Sequence, residues 1–586
     1  MENNNKKSCA EFPWLSSYPP GINWHAEIPV APLHQMLDDA AARFPDRPFL
    51  DFLGKSYTYR QIAQMVDRMA AGLQSLGIGK GDKIGLFLPN TPYYVIAFFG
   101  ALKAGATIVN FNPMYAEREI LAQIDDGEAE TMVTLDLKAL YEKLKPLFGR
   151  CRMKRIIVCP MADILPFPKS WLFPLFRHKE IAAIPRDERH VRFGRLLAKS
   201  GGKPNPVTIN PIEDIAVLQY TGGTTGLPKA AMLTHANLFA NSEQSTQWIP
   251  EATPGEERVL AVLPFFHVFA MTVIMNLGIR IGAEIILLPK FDLIQVMKTI
   301  HARRPTLFPA VPTIYTAINN HRARSDYDLS SIRWCISGGA ALPVEIKLGF
   351  EKNTGCSLAE GYGLTESSPV ATCNPLIGLN KPGSIGLPLP GTIIEIASLD
   401  DPNQLVPIGE KGEVCIRGPQ VMKGYWKRQE ETDQVLRNGR LHTGDVGVMD
   451  EFGYVSIIDR LKDMILCGGF NIYPRAIEEA IYLHPAVHEC VVIGVPDAYR
   501  GQTAKAFVKL KEGSAVTRAE LDAFLEDKLS AVEKPKHIEF RAELPKTMIG
   551  KLSRKELLEE EIEKRRQKAE KRRKSIPESE KQKASE

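Results

Sequence analysis

The sequence predicts an α/β protein with a large, multi-layer N-terminal domain and a small α+β C-terminal domain. Three observations predict it. The chain has 586 residues, more than one hydrophobic core usually serves, and 44% of them are apolar. Helix-spaced and strand-like apolar runs alternate from the N-terminal part onward, a βαβ rhythm that implies layered architecture. The character of the chain changes near IIDRLKDMI (457–465), after which shorter helix and strand patterns follow.

Ile62, Met65, Val66, Met69, Leu73 and Leu76 recur at helical spacing, stop at Gly77, and give way to the strand-like KIGLFL at 83–88. YYVIAFFGALKAG (93–105) reads as a buried helix closed by glycine, and TIVNF (107–111) as the next strand. DIAVLQY, ending at Tyr220, alternates as a strand; AAML (230–233) reads as another, and Thr234 is placed to cap a helix starting near Ala236. RWCISGGAAL and IIEIASLDD continue strands into the 330s to 400s, and DEFG is a hairpin turn between VGVM and YVSII. Ile477 to Leu483, ECVVIGV (489–495), AKAFVKL (504–510) and RAELDAFLEDKL (518–529) form the small helix-and-sheet unit. The expected domains are therefore 1–459 and 460–560, with 561–586 a charged tail that starts as a solvated helix and fades into disorder.

Composition excludes several function classes. Residues 561–586 hold ten Lys or Arg and six Asp or Glu, so the net charge of +4 comes entirely from this end. The neutral body argues against a nucleic-acid surface. Nine cysteines show no CxxC pair and no zinc spacing, which suits reduced thiols in a cytosol. The start MENNNKKSCAEFPW has no apolar core of signal-peptide type, and the apolar stretch from Val268 to Ile279 stops at Arg280, short of the ~18 to 20 residues that cross a bilayer.

The stretch with most chemistry is YTGGTTGLPKAAMLTH, Tyr220 to His235. Thr221, Gly222, Gly223, Thr224, Thr225, Gly226 and Lys229 combine bare backbone, hydroxyls and one ammonium between two strands. Glycines let N–H groups approach an anion, hydroxyls add donors, and lysine adds a compact charge, a combination suited to a pyrophosphate leaving group. A Walker loop is excluded, because Leu227 and Pro228 separate Gly226 from Lys229 and no Ser or Thr follows. A Gly/Thr-rich surface turn is the plainer reading of a glycine pair alone.

The string resembles the signature loop of the adenylate-forming superfamily, [ST][SG]G[ST]TGxPKG, shared by acyl-CoA synthetases, firefly luciferase and peptide-synthetase adenylation domains. Ala230 stands where that pattern has glycine. The resemblance assigns roles to other segments in the family's order. In EGYGLTE (360–366), with Gly361 and Gly363, it implies that Tyr362 stacks on adenine, Thr365 bonds the α-phosphate and Glu366 holds Mg²⁺, a hard cation suited to carboxylate and phosphate oxygens. Gly338, Gly339 and Ala340 of SGGAALP would border adenine, Asp445 would accept the ribose hydroxyls, and Arg460 would contact ribose and phosphate. LPKTMIGKLSRKEL (544–557) would supply the catalytic Lys551. The small domain would swing about Lys462 and Asp463, withdrawing Lys551 and bringing CGGFNIYP, with Gly468 and Gly469, to the thioester site. His267 of LPFFHVFAM would border the adenylate. Taken singly, Asp445 also reads as a turn aspartate, Arg460 and Lys551 as surface charges, and His267 as a core histidine.

GLNKPGSIGLPLPGT, RGPQVMKGYW and LCGGFNIYPRAIEEAI look most like the bacterial long-chain fatty acid:CoA ligases, although Gly439-Arg440 replaces the usual Gly-Trp and Leu466 stands where luciferase has lysine. That resemblance implies activation of a long-chain fatty acid with ATP through an acyl-AMP, then transfer to CoA, with fatty acid, ATP and CoA as partners and room for a homodimer. Loading of a carrier protein and a non-catalytic fatty-acid-binding or uptake role remain the alternatives. ILPFPKSWLFPLFRHKE (164–180) mixes Phe167, Trp171, Phe173 and Phe176 with Lys169, Arg177 and Lys179, fitting either peripheral contact with the cytoplasmic face of the inner membrane or a packed surface loop.

Overall fold

The computed structural model describes residues 12–199, 201–221, 228–467, 470–497, 499–546 and 552–574. The chain forms two compact units. One takes Met1–Glu410, Val414–Thr443 and Met449–Ser456; the other takes Lys411–Glu413, Gly444–Val448 and Ile457–Glu586.

The first unit is built on a seven-stranded sheet in the order His190–Arg192, Arg155–Cys159, Thr131–Leu135, Lys83–Phe87, Thr107–Asn110, Ile215–Thr221 and Lys229–Thr234. Every neighbouring pair is parallel except the last, which is antiparallel. Parallel pairing requires crossover helices, and Pro92–Lys103 is one of them. It is buried from Pro92 to Leu102, as its nearly unbroken apolar sequence requires. Its packing partner, Tyr59–Ser75, begins at a Thr58 capping box and buries Ile62, Val66, Met69 and Leu73 on one face. Gly100 allows the two helices to meet, since a Cβ there would lie 2.5 Å from Met69 Cγ.

Two four-stranded sheets also belong to this unit. Arg258–Ala261, Glu284–Leu287, Pro48–Phe52 and Lys55–Thr58 form one, and Trp334–Ser337, Ser357–Gly363, Val370–Cys373 and Leu387–Pro388 the other. In the latter, Trp334–Ser337 and Ser357–Gly363 run parallel, so the segments that follow both strands emerge at the same edge. Ligands of open α/β sheets collect at such carboxyl ends.

The second unit carries a five-stranded sheet ordered Phe470–Ile472, Ile465–Cys467, Gly501–Leu510 and Val487–Asp497, with His537–Phe540 also pairing Gly501–Leu510. Its faces separate by the period of two: Cys490, Val492, Ala506 and Val508 pack with Ile477, Ile481 and Leu521, while Val491, Ile493, Val495 and Phe507 pack with Leu544 and Leu557.

The helix Arg554–Lys574 continues well past residue 561. Leu557 anchors its start in the apolar cluster, and Glu560 and Glu561 pair with Arg541 and Lys505 of the sheet, which holds a highly charged segment that has little apolar surface of its own. Residues 575–586 lie outside the described residues. No helix among the described residues is long and apolar enough to cross a membrane.

Candidate functional site

The strands flanking the glycine–threonine loop form an antiparallel pair in which Thr221 faces Lys229 and Tyr220 faces Ala230. Gly222, Gly223, Thr224, Thr225 and Gly226 lie outside the described residues. Thr234 closes the second strand and caps the helix His235–Gln247, its hydroxyl accepting from Asn237 N at 3.2 Å. Ala230, the departure from the signature loop, is a regular strand residue, 1% exposed, whose carbonyl accepts from Trp426 N at 2.8 Å. Such a position has no need of glycine.

Glu366 lies in a single turn of 3₁₀ helix, Thr365–Ser367, just after the strand Ser357–Gly363. Gly361 and Gly363 thus belong to a strand, with Tyr362 opposite Thr372. Tyr362, Thr365 and Glu366 are half-buried. Tyr425 donates its phenolic O–H to Glu366 Oε1 at 2.6 Å, and Met422 N donates to the Glu366 carbonyl at 2.8 Å. Burial pushes the Tyr425 phenol pKa up, and the Glu366 carboxylate adds to the shift, so the hydroxyl stays a donor. Lys229 Nζ lies 5.3 Å from the centroid of the same ring. Lys229 and Glu366, distant in sequence, thereby share one tyrosine.

The other two segments reach the same region of this unit. Gly338, Gly339 and Ala340 follow Trp334–Ser337, beside the strand that leads to Glu366. Gly338 is buried where a Cβ would lie 3.0 Å from the Phe269 ring, and Gly339 takes φ +85°, while Ala340 is exposed. Phe269 N donates to Nδ1 of half-buried His267 at 3.3 Å. Gln219, next to Tyr220, donates to the Phe266 carbonyl at 2.9 Å and accepts from Asn110 at 2.9 Å, which ties the LPFFHVFAM segment to the loop strand. Beyond His267 the helix passes through a π-helical turn, Met271–Asn276, wholly buried.

Asp445, Arg460, Lys462 and Asp463 belong to the second unit. Asp445 is 3% exposed and pairs with Arg460, Nε to Oδ1 2.9 Å, so the two residues assigned to ribose are neighbours. Exposed Lys462 and half-buried Asp463 sit in the short turn Leu461–Asp463. Asp463 accepts from Arg554 at 3.0 Å, and Arg554 also reaches Glu478 at 2.7 Å and Asp459 at 3.3 Å. Gly468, Gly469 and Lys551 lie outside the described residues. The flanks of Lys551 are joined by an antiparallel bridge between Lys546 and Leu552 and by Ser553 N donating to the Pro545 carbonyl at 2.8 Å.

These elements match known proteins over almost the whole chain. The model of the AMP-binding enzyme family matches residues 37–426, and that of the AMP-binding enzyme C-terminal domain matches 476–551. The chain belongs to the AMP-binding enzyme family. Among relatives of this AMP-binding enzyme, a long-chain-fatty-acid–CoA ligase of Bacillus subtilis (strain 168) is 47% identical, covering 94% of this chain and 99% of that one. A protein of the same name from Escherichia coli O6:H1 is 37% identical over 93% and 98%. Among solved structures, an anthranilate CoA ligase in complex with anthranoyl-AMP aligns with a TM-score of 0.79 at 26% identity, over 91% of this chain and 98% of that one.

Sequence reasoning gave no role to Tyr425, to Gln219, or to Asp126, whose carboxylate accepts from the Tyr220 hydroxyl at 2.7 Å. Tyr425 and Glu366 are 59 positions apart, and no local spacing announces such a contact. Arg440, the other departure, pairs within the first unit with Glu395 at 2.6 Å, as does Arg417 at 3.0 Å.

Proposed function

We propose that this AMP-binding enzyme activates a long-chain fatty acid with ATP and passes the acyl group to CoA, giving acyl-CoA, AMP and pyrophosphate. Near end-to-end likeness to long-chain-fatty-acid–CoA ligases carries this reading. A carboxylate resists thiol attack because its oxygen leaves poorly. In the first step a carboxylate oxygen of the acid attacks the α-phosphorus of ATP, the bond from that phosphorus to the α,β-bridging oxygen breaks, and pyrophosphate departs with the bridging oxygen. In the second step the CoA sulfur, losing its proton, attacks the acyl carbon and AMP leaves. Little covalent chemistry falls to the protein in the first step, so catalysis rests on position and on neutralised charge.

Residues 1–459 would hold ATP and the acid, with residues 460–560 supplying the lysine. Lys229 and the 221–226 loop would take the phosphates, Thr365 the α-phosphate, Tyr362 with Gly338, Gly339, Ala340, Gly361 and Gly363 the adenine, and Asp445 and Arg460 the ribose. Half-buried Glu366, held on one oxygen, and the hydroxyl of Thr365 are hard oxygen donors that fit Mg²⁺. When bound there, the ion would neutralise phosphate charge. His267 would border the adenylate. Lys551 would serve adenylation, and rotation about Lys462 and Asp463 would then bring Gly468 and Gly469 to the thiol step.

Peripheral contact with the membrane is the second part of the reading. Phe167, Trp171, Leu175 and Phe176 are 86%, 66%, 56% and 77% exposed, and no residue of the helix Lys169–Phe176 is buried. Lys169, Arg177 and Lys179 are exposed beside them, a mixture suited to a bilayer interface. Trp171→Glu would then abolish sedimentation with anionic liposomes, and unchanged sedimentation would remove this part.

The main reading is tested by incubating the protein with ATP, Mg²⁺, free CoA and saturated acids of increasing length. Stoichiometric AMP and acyl-CoA, greatest for long chains, are expected. AMP formation that needs a carrier protein in place of CoA, or no AMP at all, would overturn it.

A further inference from the structure

We propose that Tyr425 is a positioning residue of the adenylation site, setting the carboxylate of Glu366 for its cation and the ammonium of Lys229 for the phosphates. The proposal rests on the reading of Glu366 as the metal ligand and assigns a residue to which that reading gives no part.

The segment around Tyr425 reaches two of the nucleotide segments through three links, one to Glu366 and one to each strand that flanks the loop. Its phenol holds Glu366 Oε1 at 2.6 Å and its ring faces Lys229 Nζ at 5.3 Å. Met422 N fixes the Glu366 backbone at 2.8 Å, so side chain and main chain of that residue are held from one direction. The third link runs to the strand that leads into the loop. Trp426 Nε1 donates to the Asp126 carbonyl at 3.0 Å, Arg428 pairs with the Asp126 carboxylate at 3.1 Å, and the same carboxylate accepts from Tyr220 at 2.7 Å.

The tyrosine itself is immobilised. Gly424 O accepts from Met232 N at 2.8 Å, Lys423 N donates to Met232 O at 3.0 Å, and Tyr425 N donates to Thr432 Oγ1 at 2.9 Å. Gly424 takes φ +146°, and a Cβ there would lie 2.8 Å from Thr432 Cγ2, so glycine is required for the chain to turn beside that threonine. Tyr425 is 8% exposed. A phenol that merely filled space would need no carboxylate partner. Here the bond occupies one carboxylate oxygen and fixes the plane of the group, which is how outer partners orient a ligand.

The two contacts are separable by substitution in the full-length protein. Tyr425→Phe keeps the ring and removes the hydroxyl; Tyr425→Leu removes both. Mn²⁺, read by electron paramagnetic resonance with a non-hydrolysable α,β-methylene ATP analogue, measures the cation site without turnover, and calorimetry with the analogue and no metal measures the phosphate site. Glu366→Gln provides the reference, and thermal unfolding establishes that each variant is folded. Tyr425→Phe is expected to raise the Mn²⁺ dissociation constant roughly 10- to 100-fold, with metal-free analogue binding unchanged. Tyr425→Leu adds about a two- to fivefold loss of metal-free analogue binding. Wild-type or tighter Mn²⁺ binding by folded Tyr425→Phe, with Glu366→Gln impaired, overturns the proposal alone. Wild-type Mn²⁺ binding by Glu366→Gln overturns both the proposal and the metal-ligand role on which it rests.

Discussion

Replacing Gly363 by alanine strikes the Glu366 turn without touching a charged group. A Cβ at 363 would lie 1.7 Å from the Pro369 carbonyl oxygen, 2.8 Å from its carbon and 3.1 Å from Ala371 N. All three are backbone atoms, so no rotamer relieves the overlap. Reaching an ordinary carbon–oxygen separation of about 3.3 Å requires a relative shift of about 1.6 Å. Gly363 pairs with Val370 across the sheet, and Ser367 Oγ donates to the Pro369 carbonyl at 2.6 Å, so the shift must pass into the turn that carries Thr365 and Glu366. Overpacking of this kind costs about 1 to 3 kcal/mol, and an error of 1 Å in a positioning group costs about 100-fold in rate. Fatty acid-dependent pyrophosphate exchange should therefore fall by about two orders of magnitude, with a lower urea midpoint. Gly194→Ala is the control: that glycine sits in the helix Phe193–Lys199 with nothing within 4 Å of a new Cβ, and it should leave exchange unchanged. Wild-type exchange by Gly363→Ala would refute the reasoning.

Two further outcomes concern stability. His235 is 2% exposed, and its pKa is lowered from 6.5 to about 3, first by burial and then by the nearby His34, with Asp214 opposing and Lys80 assisting. Because the folded value is depressed, the unfolded chain takes up the proton first; stability is complete above about pH 6.5 and declines as pH falls toward 3, by about 2 kcal/mol at pH 5. Between pH 7 and 5 the urea midpoint of the wild type should drop more than that of His235→Asn, whose amide oxygen can still accept from Leu33 N; equal drops would contradict this. Arg554→Ala leaves the half-buried Glu478 carboxylate with Val492 N as a donor but without its cation, and should destabilise the second unit by about 1 to 3 kcal/mol. Glu478→Gln in the same chain should recover part of the loss of resistance to proteolysis, and no loss in the single variant would refute the pairing.

The local grammar of the fold was legible. Thr234 caps its helix, Pro92–Lys103 is buried as its sequence demands, and the turn after Met449 closes with Gly453 N on the Asp450 carbonyl at 3.0 Å. These depend on neighbours a few positions away, which periodicity and capping chemistry report. What the sequence hid depends on distance along the chain. The tyrosine between Lys229 and Glu366 and the glutamine that ties Phe266 to the loop strand arise only when strands far apart become adjacent. The support of the last helix is hidden for a related reason: its own apolar content is low, and it is held by Arg541 and Lys505 on the sheet.

The central claim is that adenylation precedes, and is independent of, the thiol step. Exchange of labelled pyrophosphate into ATP, driven by a long-chain acid in the absence of CoA, measures the first step alone. An ammonium about 4 Å from an oxyanion contributes roughly 4 kcal/mol at an effective dielectric near 20, or about a thousandfold in rate. The wild type should exchange without CoA, and Lys551→Ala should lose that exchange by about this factor while still binding ATP. Exchange that requires CoA in the wild type, or that survives intact in Lys551→Ala, would contradict the account.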